Sequence, residues 1–183
     1  MLGIFKRWKR NSDAVVAIEF ALLAMPLLTL ILGIFELSMF FASGSVMEGA
    51  SAEAARIIRT GQVQASANPE DEFEQELCAR VGSMLDCGKL QYEVIKISDG
   101  TFLTAENTQP QFDNQGNLIP QPFNAGHSSD VVIIRTYYKW TFMVPFLSVL
   151  LTGDPNKNWA THMSTVVIKT EPYCASVNGS CAY

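Results

Sequence analysis

A nearly uninterrupted apolar run over residues 14–42 constrains this chain more than any other feature. The stretch 20–35 carries no charge. About 20 apolar residues in helical conformation cross a bilayer, so the run is long enough to span a membrane. Four polar residues interrupt it, namely Glu19, Thr29, Glu36 and Ser38.

A cleaved secretory signal is an alternative interpretation of this run, because Ala42-Ser43-Gly44 resembles a small-residue cleavage site. The apolar core of a secretory signal, however, has only about 7–15 residues. Here residues 48–58 continue the pattern with strong helix formers, and Gly61 offers a stop. We therefore expect one helix over residues 15–60, about 69 Å long at 1.5 Å per residue. A kink is expected near Pro26.

Basic residues cluster before the run, whereas the rest of the chain is acidic. The cluster contains Lys6, Arg7, Lys9 and Arg10. Positive charge beside a spanning helix stays on the cytoplasmic side. Residues 1–14 are thus predicted to be a cytoplasmic leader, and residues 61–183 an exported domain. Nucleic acid is not an expected partner, because the acidic remainder repels phosphate.

The exported part reads as a small α+β domain. A helix is predicted from Asn68-Pro69 to about Asp86, because acidic residues follow the proline and an apolar stripe comes next. Clusters of β-branched and aromatic residues predict strands over residues 90–97, 130–142 and 159–169. We expect an antiparallel sheet of three or four strands.

Two segments between these elements have weaker patterns. Residues 98–129 are rich in Gln, Asn, Gly and Pro, and they predict a surface excursion with a short hairpin near residues 101–105. Residues 144–151 form either a short helix or a bend, since Pro145 stands near their start.

The four cysteines fall in two local pairs, Cys78 with Cys87 and Cys174 with Cys181. An even number in an exported domain favours disulfides, and we expect the local pairing. Free thiols and a tetrahedral zinc site are the alternatives, although neither pair has the tight spacing of zinc knuckles.

Enzymatic chemistry has little support in the sequence. His127 and His162 are the only histidines, and neither stands within a metal-ligand spacing. The acids of residues 70–76 are expected to complement the positive end of a helix. We expect no catalytic residue, no metal site and no cofactor.

Glu19 is the most informative residue, since a charged side chain in a spanning helix costs about 2.5–3.5 kcal/mol at the bilayer centre and less near its edge. Glu19 could simply reach the headgroups. Alternatively, residues 14–23 with the basic leader resemble the processing motif of type IV prepilins. The resemblance implies cleavage by a prepilin peptidase between Ala14 and Val15, although that family usually has Gly before the cut. Glu19 would then be the fifth mature residue and would pair with the free amine of a neighbouring subunit.

A closer resemblance is to the TadE-like family of minor pilins, or pseudopilins, of tight-adherence (Flp) pili. It rests on Ala17-Ile18-Glu19-Phe20-Ala21-Leu22-Leu23-Ala24-Met25-Pro26, on residues 32–37 and on Ala52-Glu53-Ala54-Ala55-Arg56. The later segments around Tyr137 and Lys169 are loosely similar. Glu19, Phe20 and Glu36 are the implied subunit-contact residues. Glu36, about 32 Å along the helix from Val15, should emerge at the outer interface and need no partner.

The predicted function is therefore non-enzymatic assembly or anchoring of such a pilus from the bacterial inner membrane. Other pilin subunits and the pilus assembly machinery are the expected partners. An uncleaved single-pass scaffold of the secretion apparatus is one alternative. An exported enzyme or ligand-binding domain is another, and it would need a pocket lined by convergent polar residues.

Overall fold

The chain forms two compact units in a computed structural model, which describes residues 12–82, 84–98, 101–102, 108–172, 175–177 and 180–182. One unit comprises the chain up to Met39 together with Phe142–Asn158. The other comprises Phe40–Thr141 together with Trp159–Tyr183. The α+β class with a long N-terminal helix and a small antiparallel sheet is confirmed.

The long helix α1 is continuous over Ser12–Arg59 and includes Pro26 and Gly33. It ends at Gly61, which has a φ of 80° and donates its N–H to the carbonyl of Ile58 at 3.1 Å. Glycine adopts this left-handed conformation without a Cβ clash, so Gly61 is the stop that the sequence predicts. A kink near Pro26 stays a prediction.

Two helices follow α1. The single turn α2 covers Gln62–Ala65, and α3 covers Pro69–Val81 with Phe73, Leu77 and Val81 buried. The prediction that this helix runs to Asp86 is wrong, because Gly82 takes a φ of 61° and ends it one turn earlier. A short 3₁₀ turn at Cys87–Lys89 then leads into the sheet.

The sheet has three antiparallel strands in the order β1-β2-β3, which are Leu90–Lys96, Val131–Thr141 and Trp159–Lys169. In β2, residues 131–138 are all buried, so both faces of the central strand are covered. The predicted strands agree with these bounds within one residue at each end. A separate hairpin joins β4, Ala175–Val177, to β5, Ser180–Ala182.

One face of the sheet packs on the second half of α1 and on α3. Val132 and Ile134 of β2 belong to the same buried cluster as Ala54 and Ile58 of α1 and Phe73 of α3. The small side chains on α1 bring the helix near enough for Ser51 Oγ to lie 2.6 Å from Thr136 Oγ1. This apolar contact, rather than intrinsic helix propensity, stabilises the second half of α1.

Part of the 108–118 segment covers the opposite face of the sheet. Phe112 packs edge-on against Tyr137 with ring centroids 5.3 Å apart, and Leu118 is buried. The 98–129 segment is therefore more than a surface excursion, since part of it completes a second layer. Residues 103–107 lie outside the described part, so the hairpin expected at 101–105 is untested, whereas Phe112 and Leu118 do form an antiparallel bridge.

A last helix, α4, covers Pro145–Thr152 in the first unit, where the sequence left a helix or a bend open. Gly153 follows it with a φ of 71° and donates its N–H to the carbonyl of Val149 at 2.9 Å. The N–H of Phe142 donates to the carbonyl of Asn158 at 2.8 Å, so the two ends of the segment 142–158 are joined by a hydrogen bond.

His162 gives the sheet–helix contact a pH dependence. Its Nε2 lies 3.0 Å from Ser43 Oγ, and its ring centroid lies 4.1 Å from that of Phe40. Burial disfavours the imidazolium form and holds the pKa of His162 below its ordinary value of 6.5. Below that value the unfolded chain binds more protons than the folded chain, so the free energy of unfolding should fall as pH falls through about 6.5.

When the pH is lowered from about 7.5 to about 5, we expect the free energy of unfolding to fall less in His162→Phe than in the parent chain. The variant has no imidazole that binds a proton more tightly in the unfolded chain. The matched control is His127→Phe, since the His127 side chain is 85% exposed. Denaturant unfolding at the two pH values measures the difference. An equal loss in all three chains would contradict the assignment.

Candidate functional site

The exposed surface of the first half of α1 is the most unusual feature of the described residues. An 18-residue window in this helix has a mean hydropathy of 2.5, and none of it is buried. Large apolar side chains such as Phe20 and Leu23 are about three-quarters exposed, at 73% each. Water does not favour so wide an apolar surface, and its length and composition suffice to cross a membrane.

Three of the four polar residues in this run have partners within the chain. Thr29 Oγ1 donates to the carbonyl of Met25 at 2.9 Å, and Ser38 Oγ donates to the carbonyl of Ile34 at 2.8 Å. Such bonds to the preceding turn satisfy a hydroxyl group in an apolar environment. The third partnered residue is Glu36.

Glu36 is buried, and its carboxylate accepts from two backbone N–H groups at the start of α4. The N–H of Val144 donates to Oε2 at 2.9 Å, and the N–H of Met143 donates to Oε1. Val144 is the N-cap of α4 and Met143 precedes it, so the carboxylate lies near the positive end of this helix and complements its dipole. The expectation that Glu36 needs no partner is therefore wrong.

Gly33 lies one turn before Glu36 and faces α4. A Cβ at Gly33 would stand 3.4 Å from Phe146 Cζ and 3.9 Å from Leu147 Cδ1. Sequence reasoning missed this pairing of Gly33 and Glu36 with α4. The available signal was a small residue and an acid three positions apart, on one face of an otherwise apolar helix.

Glu19 differs from the other three polar residues. It is exposed, and within the described residues no hydrogen bond or ion pair involves its carboxylate. Phe20 beside it is also exposed, so two of the three predicted contact residues face outward from α1. The third, Glu36, is buried. Among the described residues, the carboxylate of Glu19 is thus free to bind a further group.

The proposed cleavage position, between Ala14 and Val15, lies in the first turn of α1 as described. Nothing in the structure tests cleavage there, and it stays a prediction.

Cys78 and Cys87 form a disulfide, with their Cα atoms 5.6 Å apart, which joins α3 to the 3₁₀ turn before β1. Cys174 lies outside the described residues. The pairing of Cys174 with Cys181 therefore stays a prediction.

Other candidate chemistry is sparse in the described part of the chain. No group of three or more His, Cys, Asp or Glu side chains there is placed to hold a metal ion. The acidic residues at the start of α3 are exposed, and Glu76 pairs with Arg80 at 3.0 Å. A cleft of about 520 Å³ is lined by residues that include Gln91 and Lys139.

Two polar side chains of this cleft, Lys139 and Gln91, already bind other parts of the chain. Lys139 Nζ donates to the carbonyl of Gln115 at 2.9 Å and lies 4.1 Å from the centre of the Trp159 ring. Gln91 Oε1 accepts from the N–H of Leu118 at 2.9 Å. These side chains hold the 108–118 segment against the sheet, and the cleft gives no support to a ligand-binding site.

Residues 14–56 match the family model described as TadE-like protein. The match covers the stretch of α1 that carries Glu19, Gly33 and Glu36, and it confirms the resemblance seen in the sequence. No curated protein and no solved structure matches the chain significantly.

Proposed function

We propose that this chain, whose residues 14–56 are TadE-like, is a minor pilin or pseudopilin that helps to assemble or anchor a tight-adherence (Flp) pilus. The TadE-like match suggests involvement in tight-adherence pilus systems. Within the described residues one helix, near the N-terminus, is long and apolar enough to span a membrane, which is consistent with a single-pass membrane protein. The role is one of subunit contact rather than catalysis.

The observation that carries this proposal is the carboxylate of Glu19, which has no partner among the residues that the structure describes. Thr29, Ser38 and Glu36 show that polar groups elsewhere in this apolar run have partners within the chain. A buried charge is retained in a membrane helix when it pairs or performs a function. The missing partner of Glu19 is, in this proposal, a cation on another subunit.

The proposed cation is the N-terminal amine that cleavage before Val15 would release. The amine and Glu19 are separated by about 6 Å along one helix, so a neighbouring subunit shifted by one turn brings its amine level with the carboxylate. Pairing of two charges in an apolar layer favours one register over others. Phe20 and the surrounding apolar side chains would supply the helix–helix contact.

The proposal places the chain in the bacterial inner membrane with its N-terminus in the cytoplasm and its sheet domain in the periplasm. The basic cluster of residues 6–10 supports this orientation. The partners are other pilin subunits, the assembly machinery and a prepilin peptidase. The disulfide between Cys78 and Cys87 is in keeping with an oxidising compartment.

The mass of the mature N-terminal peptide tests the proposal. We expect the purified membrane form to begin at Val15, because cleavage there supplies the amine. Ala14→Gly should leave cleavage intact or increase it, whereas Ala14→Trp should block it by bulk.

An uncleaved single-pass scaffold of the secretion apparatus is the second candidate. It is favoured by one observation, which is that Ala14 stands where prepilins usually have glycine. Retention of residues 1–14 in the wild-type protein, unaffected by either Ala14 variant, would support the scaffold and overturn the pilin proposal.

A further inference from the structure

The segment around α4 is apolar and exposed to a degree that an aqueous compartment does not favour. Residues 143–152 carry no charge. Met143 is 86% exposed and Leu150 is 72% exposed. Three more apolar side chains of the helix are exposed, namely Phe146, Val149 and Leu151. Contiguous patches of this kind mark a contact surface.

This segment belongs to the same compact unit as the apolar half of α1, and hydrogen bonds to Glu36 connect the two. The carboxylate of Glu36 accepts from the N–H groups of Met143 and Val144, as described above. Leu147 is buried, and its Cδ1 would lie 3.9 Å from a Cβ added at Gly33. One side of α4 is therefore held against α1, and the other side faces outward.

The attachment point lies at the depth of a membrane boundary. Glu36 is about 32 Å along α1 from Val15, and the hydrocarbon core of a bilayer is about 30 Å thick. Around Gly33 the side chains of Ile34 and Phe35 on α1 are themselves exposed. The outward face of α4 thus continues the lipid-facing surface of α1.

We infer that α4 together with Met143 is an interfacial membrane helix, which embeds its outward face in the outer leaflet beside the spanning helix. A helix of eight residues is too short to span a bilayer, and the exposed apolar side chains of α4 can be buried in the boundary layer beside α1. Glu36 keeps the amide groups at the start of this helix satisfied where water is scarce. The inference rests on α1 spanning the membrane and is independent of any role in a pilus.

Depth-dependent quenching of a fluorophore tests the inference on the full-length protein. An environment-sensitive fluorescent amino acid is incorporated in place of Leu150 by codon suppression. The protein is placed alone in vesicles of phosphatidylethanolamine and phosphatidylglycerol that contain lipid with a nitroxide near the headgroup end of its acyl chain. We expect strong quenching, with a blue-shifted emission.

Two further positions calibrate the measurement. The same fluorophore at Phe35, which is exposed on α1, should be quenched to a similar extent. At Glu70, an exposed position on α3, it should be quenched severalfold less. Quenching at position 150 as weak as at position 70, with position 35 strongly quenched, would overturn the inference. Lipid would then not cover the apolar face of α4. A protein partner, which these vesicles lack, would be its occupant instead.

Discussion

The Glu19→Gln variant should insert into the membrane and fold as the parent chain does, yet support no pilus assembly. A charge pair about 4 Å apart gains about 4 kcal/mol at an effective dielectric constant of 20. The carboxylate alone costs about 2.5–3.5 kcal/mol at the bilayer centre and less near the edge, so pairing offsets the cost of its burial. Glutamine keeps the size of the side chain but removes the charge, and the amine of the neighbouring subunit is left without a counter-ion.

A Glu19 that only reaches the headgroups predicts the opposite result. Glu19→Gln would then remove an insertion penalty, and pilus assembly would be unchanged or improved. Counting surface pili by electron microscopy distinguishes the two outcomes. A photoreactive amino acid in place of Leu23, which is exposed on the same helix, gives a second readout. It should crosslink to another pilin subunit in the parent chain and lose that crosslink in the variant.

The matched control for this variant is Glu48→Gln. Glu48 is an exposed carboxylate on the same helix, but it lies beyond the apolar run. Water screens its charge, so the change should leave pilus number and crosslinking as in the parent chain. Equal loss in both variants would mean that any change of charge on α1 disturbs assembly, and the specific pairing of Glu19 would be rejected.

The elements of this fold were predictable where one signal dominates a long stretch. The apolar run and the strong helix formers after it predict α1, and Gly61 marks its end because a left-handed residue is needed there. The strands were equally clear. Trp159–Lys169 is rich in β-branched residues between turn signals, and its predicted and observed bounds coincide.

Contacts between distant segments were not predictable in the same way. Glu36 accepts from backbone N–H groups more than a hundred residues later in the chain, and a backbone donor carries no signature in the sequence. Position along the helix predicts that Glu36 lies near the end of a span, which stays a prediction, but it could not show that α4 approaches. The early end of α3 has a local cause that was overlooked, which is the positive φ of Gly82.

Glu19 illustrates what sequence and structure each contribute to the candidate site. Its charge within an apolar run was sufficient to mark it, and the motif around it suggested an outside partner. The structure adds the contrast with Thr29, Glu36 and Ser38, whose polar groups have partners within the chain. That contrast required coordinates, because side-chain to backbone bonds depend on rotamers and on elements that pack nearby.

The pair of Glu93 and Arg135 should be the most sensitive point of the sheet domain. Arg135 Nη1 donates to Glu93 Oε1 at 2.7 Å, and the two side chains are 6% and 1% exposed respectively. Arg135 Nη2 also donates to the carbonyl of Thr108, which holds the covering segment on the sheet. Each of the changes Glu93→Leu and Arg135→Met leaves one buried charge unpaired, and each should cost about 3–5 kcal/mol of unfolding free energy.

The double variant Glu93→Leu/Arg135→Met should recover most of this loss, because it removes both charges and fills their volume with apolar groups. Its remaining cost is about 1–3 kcal/mol for the carbonyl of Thr108, which loses its donor from Arg135. Unfolding of the detergent-solubilised protein by denaturant, followed by proteolysis of the unfolded fraction, measures all three values.

The exposed pair of Glu53 and Arg56 on α1 is the matched control, with an Nε–Oε2 distance of 3.1 Å and side chains about half exposed, at 45% and 51% respectively. The same two substitutions there, Glu53→Leu and Arg56→Met, should each change the unfolding free energy by about 1 kcal/mol or less, because water screens such a pair. Similar losses at both pairs, or additive losses in the Glu93 and Arg135 double variant, would show that charge burial does not set the stability of this face. We expect instead that the double variant loses less unfolding free energy than the two single variants together, because each charge compensates the burial of the other.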